Sequence, residues 1–246
     1  MIKAFIFDLD GTLVQTEILK AKSYARAAID LSNGRLSEAD VIAAFTEVVG
    51  LSRREVAQKL MKRFGLEETA TSQMRDYGVD TPWQAFVQIR LKYYQEMLED
   101  PKILHEYRCP YNLGLLDYAR QQNFTTSLAT MSHCEQASKV LNILCIRDKL
   151  DFVASRDDVE NGKPDPEIYL LVADQLEVTP RQCVVIEDSP SGVKAALAAG
   201  MGCIAVTTDF TRKQIHESGL LAEKWIVDDL TRLESVAKEF VEKWKL

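Results

Sequence analysis

The run Phe5-Ile6-Phe7-Asp8-Leu9-Asp10-Gly11-Thr12 carries the chain's strongest chemical signal. A short apolar stretch ends in two acids one residue apart. An unpaired buried carboxylate is costly, so a core strand does not normally finish this way. In an open α/β sheet, however, ligands bind outside the carboxyl ends of the strands. Two acids at such a point suit work with a cation.

Three further constellations follow, each at the end of a predicted strand. Thr130 comes after Thr125 to Ala129. Lys163 sits in Asn161-Gly162-Lys163-Pro164-Asp165-Pro166. Glu187 and Asp188 follow Cys183 to Ile186 and precede Ser189-Pro190-Ser191-Gly192. Taken singly each is weak: Thr130 could close a strand, Lys163 could sit on a surface turn, and Ser189 reads first as a helix cap.

The elements that must position these residues are legible in outline. Ile2 to Phe7 reads as a buried strand. From about Thr16 to His105 the pattern is helical. Ser52-Arg53-Arg54-Glu55 is a capping box, Val56, Leu60, Met61 and Phe64 follow at helical spacing, and Gly65 can stop the helix. A second helix is expected over about Thr81 to Leu98. After Pro110 helical stretches alternate with short β-rich runs: Thr125 to Ala129, Phe152 to Ala154, Cys183 to Ile186, Cys203 to Thr207 and Trp225 to Val227. That alternation predicts βαβ units and a parallel sheet. Ser132 to Glu135 and Thr231 to Glu234 read as capping boxes. Asp165-Pro166 and Ser189-Pro190 place a cap before a proline. Gly192 is read as allowing a helix to pack closely on its strand. The C-terminal residues Leu230, Leu233, Val236, Ala237, Phe240, Val241 and Trp244 predict a helix docked on the core. The expected organisation is an α/β core of residues 1–15 and 107–246, split by a helical insert over 16–106.

The four constellations, in this order and with a helical insert after the first, resemble the haloacid dehalogenase-like hydrolase superfamily, in its branch with a helical cap. The resemblance covers essentially the whole chain. It implies a Rossmann-like parallel sheet flanked by helices, and Mg²⁺-dependent hydrolysis of a small phosphorylated metabolite through an aspartyl-phosphate. Asp8 would be the nucleophile. Asp10 would protonate the leaving oxygen and later deprotonate water. Thr130 and Lys163 would hold the phosphoryl group, with amides at Leu9, Asp10 and Met131 completing the cradle. Asp8, the carbonyl of Asp10 and Asp188 would bind Mg²⁺, with Glu187 assisting. Met131 stands where the family often has Asn.

In the insert, Gly50-Leu51-Ser52-Arg53 looks like the substrate-facing segment of β-phosphoglucomutase-like members. Arg53 could therefore meet substrate, or simply be solvated. Lys20, Arg90 and Lys92 are further candidates for substrate contact, each read first as solvated. Mutases of that type carry a Thr-x-x-x-His element, but here Thr16 is followed by Lys20. That favours hydrolysis over phosphoryl transfer within a sugar, which stays as the alternative, with a non-catalytic binding protein behind it. Asp10 itself disfavours dehalogenation and phosphonate cleavage.

Bulk properties agree. A chain of 246 residues suits one large domain or a domain with an insert. A net charge of −7 gives no sign of a nucleic-acid face. No run approaches a membrane span, and no signal peptide is recognisable, so a cytoplasmic monomer or weak homodimer is expected. Cysteines 109, 134, 145, 183 and 203 lack C-x-x-C spacing and read as reduced core residues. His105, His133 and His216 are not spaced as a metal site.

Overall fold

A computed structural model describes residues 1–49 and 51–244. The chain divides into two compact units, Met1–Gln15 with the residues from Pro101 onward, and Thr16–Asp100.

The first unit begins with β1 (Ala4–Phe7). The second contains α1 (Thr16–Leu31), α2 (Glu38–Thr46), α3 (Arg53–Phe64), α4 (Glu67–Gln73) and α5 (Pro82–Glu99). The first unit resumes with α6 (Pro101–Glu106), α7 (Pro110–Gln121), β2 (Thr125–Ala129), α8 (Cys134–Ile143), β3 (Phe152–Ala154) and α9 (Glu167–Gln175). It ends with β4 (Cys183–Glu187), α10 (Pro190–Ala198), β5 (Gly202–Val206), α11 (Arg212–Ser218), β6 (Ile226–Val227) and α12 (Leu233–Lys243).

The six strands form one parallel sheet in the order β3-β2-β1-β4-β5-β6. Every residue of β1, β4 and β5 is buried. This is why their sequences are near-continuous apolar runs rather than alternating ones. β2 is polar in sequence yet central. Its buried Ser127 hydroxyl donates to the Phe152 carbonyl at 2.7 Å, so the polar group is satisfied across the sheet. Phe7 pairs with Leu128 on one side and Ile186 on the other. The residues that follow these three strands therefore emerge side by side at one edge. The stretch after β1 is a tight turn in which the Leu9 carbonyl accepts the amides of Thr12, Leu13 and Val14. The Cys109 amide then donates to Leu13 and the Gln15 amide to Tyr107, pairing the outgoing and returning chain. The helix α6, which the sequence pattern puts in the insert, packs on α8 in the first unit.

Among the described residues, every regular element of the second unit is a helix. The Ser52 and Glu55 side chains close the expected capping box, and Gly65 ends α3 in the left-handed conformation at φ 62°. Tyr24 of α1 sits among Phe45 and Phe86, each with ring centres 5.6 Å away.

Several local expectations change. Ser132 does not cap α8. Its hydroxyl goes elsewhere, and Asp157 accepts the Cys134 amide at 2.8 Å instead. Asp229 rather than Thr231 caps the turn before α12. Cys134 and Cys145 are exposed, while Cys109, Cys183 and Cys203 are buried thiols. Ser189 accepts the Gly192 amide with Pro190 opening α10, as the sequence predicts, whereas α9 starts one residue later than expected, with Pro166 at its N-cap and Asp165 accepting the Glu167 amide from outside. The C-terminal helix docks through Leu233, Val236, Ala237 and Phe240.

Candidate active site

Asp8 continues β1 and is buried. Its Oδ1 lies 2.6 Å from the Lys163 ammonium. Lys163 comes from the loop before α9, and its side chain is only 4% exposed. It also donates to Glu187 Oε1 at 2.8 Å and to the Ala129 carbonyl at 3.0 Å. One ammonium thus ties together the ends of β1, β2 and β4.

Glu187 is held on both oxygens. Oε1 accepts from Lys163 and from the Tyr169 hydroxyl at 3.2 Å. Oε2 accepts the amides of Asp188 and Ser189 and the Ser189 hydroxyl. A Cβ at residue 192 would collide with this carboxylate, so Gly192 makes room for Glu187 rather than for backbone packing. Gly11 does the same for Asp188: its φ is +82°, and a Cβ there would strike the Asp188 carboxylate.

Asp10 is held differently. Its Oδ2 accepts the Ser132 hydroxyl at 2.6 Å and the Thr130 hydroxyl at 3.3 Å, while the Ser132 amide donates back to Thr130 at 3.0 Å. The two acids of the first motif therefore face different partners. Asp8 meets a cation, and Asp10 meets hydroxyls.

Asp8, Glu187 and Asp188 are all buried, and each offers an oxygen within 4.8 Å of the others. With one lysine among three acids the cluster is short of positive charge. Burial, above all, pushes the Asp8 carboxyl up to about 8. Lys163 opposes this, while Glu187 and Asp10 add to it. Burial also works against the Lys163 ammonium, but Asp8 and Glu187 outweigh it and hold its pKa well above the usual lysine range. A set of hard oxygen donors lacking neutralising charge fits a divalent cation.

Of the residues singled out from the sequence, Asp8, Asp10, Thr130, Lys163, Glu187 and Asp188 come together at this sheet edge. Leu9 buries its side chain in the core, and Met131 is partly buried against the core. Arg53 belongs to the second unit, exposed at the start of α3. Gly50, quoted with it, lies outside the described residues. Arg90 is not solvated as expected. It is buried against Tyr24 and Tyr94. Sequence reasoning missed Ser132 and Tyr169. Ser132 looked like a cap. Nothing in the sequence singled out Tyr169, which lies six positions after Lys163 with its ring centre 5.0 Å from that ammonium's Nζ.

The sequence profile of the family described as "Haloacid dehalogenase-like hydrolase" matches residues 5–206. A phosphorylated carbohydrates phosphatase from Thermotoga maritima is 30% identical over 200 residues, 81% of this chain and 82% of that protein. The phosphoglycolate phosphatase of Salmonella typhi is 31% identical over 225 residues, 87% of this chain and 84% of that protein. A crystal structure from Thermotoga maritima, described as a candidate β-phosphoglucomutase, superposes with a TM-score of 0.72 at 30% identity. It covers 97% of this chain and 99% of that one. The fold, its site and these relatives define a hydrolase of the phosphatase class. The chain belongs to the haloacid dehalogenase-like hydrolase family. No helix among the described residues is long and apolar enough to cross a membrane.

Proposed function

We propose that this protein is a Mg²⁺-dependent phosphatase acting on a small phosphorylated, sugar-like metabolite. The unit built on the sheet would be the catalytic core, and Thr16–Asp100 the cap. The separate anchoring of Asp8 and Asp10 carries the reading. Two acids with different partners at one strand end can take different roles. The names of the relatives support the substrate class.

In the proposed reaction an Asp8 oxygen attacks phosphorus. The bond from phosphorus to the ester oxygen breaks, and Asp10 gives that oxygen its proton. Water then attacks the aspartyl-phosphate, Asp10 takes a proton from it, and the phosphorus–Asp8 bond breaks to release phosphate. Thr130 and Lys163 would offset phosphoryl charge, helped by amides at Leu9, Asp10 and Met131. Asp8, the Asp10 carbonyl and Asp188 would hold Mg²⁺, which supplies charge neutralisation when bound. With its oxygens already committed to five donors, Glu187 would act by fixing Lys163 rather than by binding metal directly. Arg53 would contact substrate from the cap. Hydrolysis is preferred over mutase action because Lys20, held by Glu17 at 2.6 Å, stands where a mutase of the β-phosphoglucomutase type would place histidine.

The test is phosphate release from a panel of phosphorylated metabolites, with Mg²⁺ and with EDTA. Mg²⁺-dependent release that disappears in a folded Asp8→Asn variant is expected. Normal turnover by that variant would overturn the mechanism. Phosphate transfer from a sugar bisphosphate to glucose 1-phosphate, without release, would favour the mutase.

A further inference from the structure

An ammonium has three protons to give, and those of Lys163 are all committed. They go to Asp8 Oδ1 at 2.6 Å, Glu187 Oε1 at 2.8 Å and the Ala129 carbonyl at 3.0 Å. None is left for a phosphoryl oxygen. To hold one, the ammonium must release an acceptor it already has.

The two carboxylates differ in what they would lose. Among the described residues Asp8 Oδ1 has Lys163 as its one hydrogen-bond donor. Glu187 Oε1 also accepts the Tyr169 hydroxyl at 3.2 Å. Stripping a buried carboxylate oxygen of its last donor is strongly unfavourable. Lys163 therefore leaves Glu187 at less cost than it leaves Asp8. Glu187 also keeps its place when the ammonium turns away. Its Oε2 stays bonded to the amides of Asp188 and Ser189 and to the Ser189 hydroxyl.

Tyr169 itself is fully buried, on α9. Its ring centre lies 5.0 Å from Lys163 Nζ. Attraction between a cation and a ring uses none of the ammonium's protons. The ring thus supports Lys163 both before and after a proton changes acceptor.

We propose that Tyr169 is a positioning residue: its hydroxyl stands in for Lys163 on Glu187 and so frees one ammonium proton for the phosphoryl group. The identity of that incoming group rests on the phosphatase reading. Tyr169→Phe keeps the ring and its packing but leaves Glu187 Oε1 dependent on Lys163 alone. The ammonium is then held back from the phosphoryl oxygen.

The first test compares full-length wild type with Tyr169→Phe in the presence of Mg²⁺. Calorimetry with inorganic phosphate as the probe should show affinity weakened by about tenfold. Affinity for Mg²⁺ alone should not change, and KM for hydrolysed esters should rise more than kcat falls. Phosphate affinity equal to wild type would overturn the proposal. So would an equal loss for phosphate and Mg²⁺, which marks general disruption of the site. The second test needs no phosphate. In EDTA, the Lys163 ammonium is followed by NMR of its nitrogen, its signal assigned by its absence in Lys163→Arg. That signal should shift in Tyr169→Phe, because the shared oxygen loses a competing donor. An unshifted signal would show that hydroxyl and ammonium do not share Glu187, and would overturn the proposal by itself. Wild type that neither binds phosphate nor hydrolyses any ester sinks the phosphatase reading and the proposal with it. Wild type that does both, with Tyr169→Phe unchanged, sinks the proposal alone.

Discussion

Gly192 stands where any side chain would displace the Glu187 carboxylate. The two residues are five apart in sequence, one at the end of β4 and the other in the first turn of α10. Between them Ser189 bonds to both, accepting the Gly192 amide and donating to Glu187. The Glu187 carboxylate cannot easily move aside, because five donors hold it and one of them is Lys163.

Gly192→Ala should therefore destabilise the fold by about 1–3 kcal/mol, as overpacking a filled site does. It should also lower kcat, since shifting Glu187 shifts Lys163. Gly114→Ala is the control. It lies inside α7 with nothing within 4 Å of a new Cβ, and a helical alanine there should be neutral or stabilising by up to about 1 kcal/mol. Equal Tm values for the two variants would show that Glu187 is not confined by Gly192.

Ser132→Ala removes the 2.6 Å hydrogen bond to Asp10 and leaves Thr130 as the remaining hydroxyl donor. One such bond contributes about 0.5–1.5 kcal/mol. The expected result is a fall in kcat of up to about tenfold with KM little changed, and recovery in Ser132→Thr. A change confined to KM would place Ser132 on the substrate rather than on Asp10.

Asp188→Asn should weaken Mg²⁺ binding, measured by calorimetry on the folded protein without substrate. Gly11→Ala should do so as well, by pushing the Asp188 carboxylate out of place. Losses of about 10–100-fold are typical when a ligand's supporting contacts are disturbed. Unchanged Mg²⁺ affinity in both variants would remove Asp188 from the metal site.

At the far edge of the sheet His216 lies 3.1 Å from Asp228 and 3.2 Å from Glu223. Hydrogen bonding to Asp228, against a little burial, raises the His216 pKa. Its charged form therefore stabilises the fold fully below about 6.5, and the benefit fades as pH rises through the raised value. Burial pushes Asp228 up, yet hydrogen bonds from Thr207 and His216 bring it net below the usual range. Its contribution is present above about 4 and fades as pH falls through the lowered value. Both partners contribute in full between about pH 4 and 6.5. The Tm difference between wild type and His216→Gln should be largest there and shrink toward pH 9. A difference constant across that range would show the imidazole's charge to be irrelevant.

Read alone, the sequence determined what local pattern can determine. Apolar runs ending in acids gave the strand ends at Asp8 and Glu187. The Ser52 and Ser189 starts were legible because a cap and its target amide lie three residues apart. Side-chain destinations across the fold were not legible. Ser132 and Glu135 have the spacing of a capping box, but the hydroxyl is drawn to Asp10, 122 positions away, and Asp157 takes over the cap. Gly192 appeared as a packing glycine, since nothing in its neighbourhood shows which carboxylate will fill the space beside it, and the same holds for Gly11. Arg90 read as a candidate for substrate contact, but first as a solvated charge. Only the packing of α1 against α5 puts Tyr24 over its guanidinium and removes it from water. The residues able to do chemistry were fixed by type and spacing, whereas their partners and charge balance were decided by which elements the fold makes neighbours.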